Sequence, residues 1–191
     1  ELLSKAGYSR AGFESYSLPD DPLTKSMNEK KAVYNSLGTQ KGEATNFIAV
    51  GSSAHGVLND DYYFQNFYEQ DLYRKAIDEG NFPIYRGIKI SKDDAIRREV
   101  IRHIRTFFNV EHNFFENKYK INFSKYFEKE LKNLKTYEND ELLSLNKNNF
   151  ILTDLGQHFS PQVANVFDTY NNQEFYLSKM AKLSREFCTL K

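Results

Sequence analysis

The stretch Tyr85–Asn109, YRGIKISKDDAIRREVIRHIRTFFN, limits the folds open to this chain more than any other. A short apolar alternation through Ile84, Arg86, Ile88 and Ile90 runs into Ser91. Ser91 followed three residues later by Asp94 is a helix-start signature. Beyond it Ile96, Val100, Ile101, Ile104, Phe107 and Phe108 recur at helical spacing, an apolar stripe wide enough to bury against a core. Arg98, Arg102 and Arg105 form a second stripe, with Arg97 beside it. Exposed ion pairs with Asp93, Asp94 and Glu99 are one reading of these arginines, and such pairs are individually weak. The other is that some of them hold an anionic ligand. Both stay open at this point.

The rest of the composition narrows the function classes. The chain has 191 residues, enough for one good core or one small domain with an appendage. Its 26 basic and 26 acidic side chains cancel, so no global field recruits nucleic acid or an anionic membrane. No apolar run approaches the roughly 20 residues of a membrane span. The opening Glu1, without initiator Met or signal sequence, reads as the interior of a longer protein. One cysteine, Cys188, makes neither an internal disulfide nor a cysteine-ligated metal or iron–sulfur site, and a cytoplasmic location is expected.

In chain order, ELLSKAGY reads as the last turns of a helix with Gly7 as C-cap, and RAGFESYSLP as a short strand stopped by Pro19. A helix is expected from Pro22, which suits a first helical position. Phe47 to Val50 is a candidate buried strand, followed by the small residues Gly51, Ser52, Ser53, Ala54 and Gly56. Small residues after a strand let a backbone approach a ligand closely, although a plain tight turn reads equally well. Residues 62–79 are aromatic-rich and turn helical, ending at Gly80. Phe114–Tyr119 and Phe123–Leu134 read as amphipathic helices, the second with Phe123, Phe127, Leu131 and Leu134 on one face.

Towards the end, Leu142, Leu143 and Leu145, the turn-former NKNN and Phe150–Leu152 suggest a small hairpin. Thr153 caps a helix with Leu155, Phe159, Val163, Val166, Phe167 and Tyr170 on one side. A mid-helix proline costs about 3 kcal/mol, so this helix kinks at Pro161 or restarts with Ser160 as cap. Helices, a hairpin and a helix resemble a winged-helix module, here read as a packing unit. No self-contained catalytic constellation is present: His103, His112 and His158 match no metal pair, and no phosphate loop or nucleophile triad stands out.

Several stretches together resemble the C-terminal part of the oxygen-independent coproporphyrinogen III oxidase family of radical S-adenosylmethionine (SAM) enzymes. They are LPDDPL at 18–23, AVGSSAH at 49–55, YYFQN at 62–66, RGIKISKDDAIRREVI at 86–101, FSKYFEKELKNL at 123–134, ILTDLG at 151–156 and VFDTY at 166–170. The resemblance implies an α+β, mostly α-helical chain: the end of a partial (β/α) barrel over residues 1–60, then a helical C-terminal domain over 61–191. It implies oxidative decarboxylation of tetrapyrrole propionates to vinyl groups by the full-length parent, with SAM and a 4Fe-4S cluster whose three-cysteine motif has no counterpart here. No catalytic residue and no metal ligand is expected in this chain. Ser53, Ala54 and His55 match the segment that lines the SAM pocket. Arg97, Arg98, Tyr63 and Arg86 are the expected substrate contacts, since arginine suits bidentate recognition of carboxylates.

The expected partners are coproporphyrinogen III or haem and the remainder of the chain's own barrel domain, with no nucleic acid and no membrane. Three positions depart from the oxidase pattern. Ser36-Leu37 stands where oxidases carry an aromatic–glutamine pair, His55 where they carry an aliphatic residue, and Pro161 where they tend to carry arginine. AHG at 54–56 is closer to the haem-chaperone branch of the superfamily. A haem-degrading radical SAM methyltransferase and a haem-binding chaperone are therefore the alternative readings.

Overall fold

Local sequence signals set most element ends in the computed structural model, which describes residues 2–35, 38–42, 46–48, 50–59 and 61–170. Helix α1 (Leu2–Lys5) stops before Gly7, whose φ of +86° is open to glycine without strain. The RAGFESYSLP segment, expected as one strand, is instead an antiparallel pair, β1 (Ser9–Ala11) with β2 (Ser15–Ser17). Gly12 turns the chain between them at φ +79°. Helix α2 (Pro22–Asn28) begins where expected, with the Asp21 carboxylate accepting the Leu23 N–H. Strands β3 (Val33–Asn35) and β4 (Gly38–Gln40) form a second antiparallel pair.

The expected buried strand at Phe47–Val50 does not form. Phe47 makes only an isolated antiparallel bridge to Val57, and Ile48 and Val50 are 78% and 84% exposed. An apolar run becomes a buried strand only where both faces are covered, and here neither residue has that cover. The pairing goes to the next segments instead. Strands β5 (His55–Leu58), β6 (Tyr62–Asn66) and β7 (Ile84–Lys89) make one antiparallel sheet in that order, with helix α3 (Gln70–Asp78) between β6 and β7. The expected division at residue 60 falls in sequence between β5 and β6, which pair with each other in this sheet. Every strand ladder among the described residues is antiparallel.

Helix α4 (Lys92–Phe107) has the expected start: Ser91 Oγ accepts the Asp94 N–H, and the Asp94 carboxylate accepts the Ser91 N–H. It buries Ile96, Val100 and Ile104, and ends at Phe108 in a left-handed conformation. Strand β8 (Asn109–Glu111), helices α5 (His112–Tyr119), α6 (Phe123–Tyr126) and α7 (Glu128–Asn139), and strands β9 (Leu143–Leu145) and β10 (Asn149–Leu152) follow. The β9–β10 hairpin forms around Asn146–Asn149, and β8 pairs with its other side. At Pro161 the chain restarts rather than kinks: α8 (Asp154–His158) ends, and α9 (Ser160–Asn165) begins with Phe159 at its cap.

The core lies between α4, α6, α7, α9 and this small sheet. Phe115, Phe123, Phe127, Phe150 and Phe167 are fully buried in it. Phe150 and Phe167 stack at 5.9 Å, and Phe127 meets Phe167 edge-on at 5.3 Å. Burying each such side chain contributes about 1.5–3 kcal/mol. This block holds α4 rigidly by one side, which leaves its other sides to form clefts.

Candidate functional site

Alternation along three short strands builds the first part of the site. Residues two apart on a strand share a face, and in-register partners lie side by side across a sheet. The pairing aligns His55, Gln65 and Arg86 in one row and Val57, Tyr63 and Ile88 in the next. The rows share one face. The expected SAM residue His55 and the expected substrate residues Arg86 and Tyr63 are thus neighbours, although they come from three strands. Arg86 Nε donates to Gln65 Oε1 at 2.9 Å, and its guanidinium lies 5.9 Å from the Tyr85 ring.

The small-residue loop is pre-shaped rather than slack. Ser53 N–H donates to Phe67 O (2.8 Å), and Asn66 N–H to Ala54 O (2.8 Å). The buried Asn66 side chain donates to Gly51 O (3.0 Å), and Gln65 Nε2 to Ser53 O (3.0 Å). Gly51 N–H donates to the Tyr73 hydroxyl (3.0 Å), which ties the loop to α3. Gly51 and Ser53 both have positive φ, +104° and +59°. Positive φ is uncommon for serine, and the surrounding hydrogen bonds hold it there. Ser53 and His55 are left exposed, which suits close approach of a ligand to the loop.

Helix α4 supplies the second part. At roughly 100° per residue, Asp94, Arg97, Arg98 and Ile101 share one flank and Glu99, Arg102, His103 and Thr106 the opposite one. The first flank closes a cleft of about 390 Å³ against Tyr63, Ile88 and Ile90 on one side and Phe167–Tyr170 on the other. Arg98 Nη1 donates to the Tyr63 hydroxyl at 3.3 Å, and its guanidinium lies 5.9 Å from the Tyr63 ring. That contact joins the helix to the sheet face. The cleft is apolar apart from the cations Arg97 and Arg98, the carboxylates Asp94 and Asp168, and the hydroxyls of Tyr63, Thr169 and Tyr170, so an anionic group entering it has the two guanidinium groups as cationic partners beside two acidic side chains.

The two neighbouring arginines differ in what they touch. Arg97 Nε donates to Asp93 (2.7 Å), and its Nη1 to Glu130 (2.8 Å) and to Phe167 O (3.4 Å). Its side chain is only 14% exposed and Glu130 only 12%, so the pair is mostly removed from water. The Tyr126 hydroxyl donates to the other Asp93 oxygen at 2.5 Å. Desolvation, then the Asp93 carboxylate, push the Tyr126 hydroxyl up to about 12. Arg97 therefore works as a clamp between α4, α7 and the Phe167 turn.

The opposite flank of α4 borders a larger cavity of about 780 Å³, walled by α2, β3, α4 and α5. Lys30 and Lys118 at its rim are paired with Glu111 (2.7 Å) and Glu99 (3.2 Å), which line the same space. His103 stands in its wall among Phe107, Phe114 and Phe115. Burial lowers the His103 pKa, partly opposed by Glu99.

Comparison with known proteins gives the chain relatives. Residues 90–159 match the model of the HemN C-terminal domain. The chain is 33% identical over 169 residues to the oxygen-independent coproporphyrinogen III oxidase of Helicobacter pylori, covering 88% of this chain and 37% of the relative. It is 29% identical over 184 residues to the enzyme of that name from Escherichia coli, covering 96% of this chain and 39% of the relative. The solved structure of Escherichia coli coproporphyrinogen III oxidase (HemN), described as a radical SAM enzyme, superposes with a TM-score of 0.82 at 29% identity. That match covers 88% of this chain and 39% of the other. The chain thus spans under two fifths of the relatives it matches, and the sequence resemblance to the C-terminal part of this family holds.

The HemN match includes α4 to α8 but not the loop at 51–56, strands β6 and β7, or α9. Among the described residues no cluster of His, Cys, Asp or Glu could hold a metal, so those residues do not fit an iron–sulfur cluster. Ser36, Leu37 and Cys188 lie outside the described residues. No described helix is long and apolar enough to cross a membrane. Sequence reasoning offered Asp93 as a partner of the arginines, but it missed Gln65 and Asn66 as loop supports and Glu130 as the second partner of Arg97. The period of two in YYFQN would have put Tyr63 and Gln65 on one face. Nothing local in the sequence signals Glu130, which is 33 residues from Arg97.

Proposed function

We propose that this chain is the C-terminal part of a radical SAM enzyme that converts propionate side chains of coproporphyrinogen III to vinyl groups. In that parent, residues up to about 60 would complete a partial barrel, and the β9–β10 hairpin with its helices would form a winged-helix-like packing unit. The observation that carries the reading is the Tyr63–Arg98 contact, which sets a cation beside an aromatic ring at the mouth of an apolar cleft. A macrocycle with charged propionates needs that combination. Apolar walls take the pyrrole rings, and guanidinium groups take the carboxylates in bidentate fashion.

Arg98 and Arg86 would orient propionates, and Tyr63 would lie against the ring system. An arginine stays protonated at any physiological pH, so it holds its partner as the carboxylate, the form that leaves as carbon dioxide. The loop Ser53–His55 would hold SAM, which with a cluster bound elsewhere in the parent supplies the oxidising chemistry. Arg97, engaged by Asp93 and Glu130, would fix the helix that presents Arg98.

Product analysis of the full-length parent tests this. Incubated anaerobically with SAM and coproporphyrinogen III, it should yield a product that, after oxidation, keeps a Soret band and carries vinyl groups. Loss of the Soret band from haem would instead establish ring opening. Stoichiometric, SAM-independent haem binding that His55→Ala removes would establish a chaperone.

A further inference from the structure

Gln65 occupies the central strand of the site sheet and uses both ends of its amide. Its Nε2 donates to Ser53 O at 3.0 Å, and its Oε1 accepts from Arg86 Nε at 2.9 Å. The orientation of the amide is fixed by chemistry. A carbonyl oxygen can only accept and a guanidinium can only donate, so the flipped amide would set two acceptors and two donors against each other. Its strand neighbours lie on either side in register, His55 towards the loop and Arg86 towards the outer strand.

We infer that Gln65 is a positioning residue that couples the cofactor-holding loop to the substrate-holding Arg86. The inference rests on the proposed reading of Ser53–His55 and Arg86. Movement of Arg86 towards a carboxylate would pull on the same amide that holds Ser53 in its positive-φ conformation. The amide donates to a carbonyl through one end and accepts from a guanidinium through the other while carrying no charge.

Two substitutions divide the roles. In Gln65→Glu the carboxylate still accepts from Arg86, with added charge, but turns an acceptor towards Ser53 O. In Gln65→Lys the ammonium still donates to Ser53 O but repels Arg86. Both side chains are close to Gln in length, and the position is part-exposed, so both variants should fold with unchanged thermal midpoints. The measurement is equilibrium binding to the full-length parent, with SAM followed by calorimetry and coproporphyrin III by fluorescence.

Gln65→Glu should weaken SAM roughly five-fold and leave the porphyrin within about two-fold; Gln65→Lys should do the reverse. Equal effects on both ligands, or none, in folded variants would overturn the inference while leaving the oxidase reading in place. A wild-type parent that binds neither ligand would overturn both. Gln65→Leu, which loses both bonds, should weaken both ligands.

Discussion

Arg97 and Arg98 are adjacent in sequence yet reach different side chains, Asp93 and Glu130 for the first and Tyr63 for the second. Arg97→Ala leaves Glu130 nearly buried without its cation, and such losses cost about 3–5 kcal/mol when the pair is fully buried. With 14% of Arg97 still exposed, roughly 2–3 kcal/mol is expected, read as a lower urea midpoint. An unchanged midpoint would show that the clamp is not structural. At His103, burial among three phenylalanines lowers the pKa below 6.5 against the pull of Glu99. The folded chain then binds fewer protons than the unfolded one, so His103 contributes stability above pH 6.5 that is lost as pH falls through that value. His112, also lowered by burial, acts in the same direction. His103→Gln should therefore lose less stability than wild type between pH 7 and pH 5 in urea titrations. Parallel losses would remove His103 from the account.

The elements show which signals suffice on their own. The capping box at Ser91 and Asp94 and the first-turn Pro22 are local and were legible in the sequence, whereas at Pro161 the sequence left a kink or a restart open, and the cap falls on Phe159 rather than Ser160. The β9–β10 hairpin was equally legible, because its turn-former and its flanking apolar residues lie within ten positions. Ser91→Ala should cost about 1 kcal/mol, seen as a small fall in thermal midpoint. Phe47–Val50 failed as a strand because burial on both faces is a property of neighbours, which four apolar letters cannot specify. The close approach of α8 to the chain before β9 was also illegible. A Cβ at Gly156 would overlap the backbone carbonyl of Leu142, and backbone cannot rotate away as a side chain can. Gly156→Ala should thus destabilise by roughly 2–3 kcal/mol in the same assay. An unaffected midpoint would mean that α8 can shift without cost.

At the scale of the whole molecule, the packed block of α4, α6, α7, α9 and the β8–β10–β9 sheet serves as the rigid base for a more open face. Strand β7 has every residue exposed, and Ile84, Tyr85 and Ile88 are among them. This open face is also where His55, Tyr63, Gln65, Arg86 and Arg98 gather. The sequence resemblance supplied the expected roles of His55, Tyr63, Arg86 and Arg98 one segment at a time, but it could not show that two adjacent sheet rows and one helix flank bring them together with Gln65. Long-range register does that, and register depends on the folded sheet. The central claim is that Arg98, presented beside Tyr63, binds a propionate of the substrate. The most direct test is the KM for coproporphyrinogen III of the full-length parent carrying Arg98→Ala. The account predicts a rise of about ten-fold with an unchanged thermal midpoint, as expected for loss of one charged hydrogen-bonded contact. A KM equal to that of wild type in a folded, active variant would contradict it.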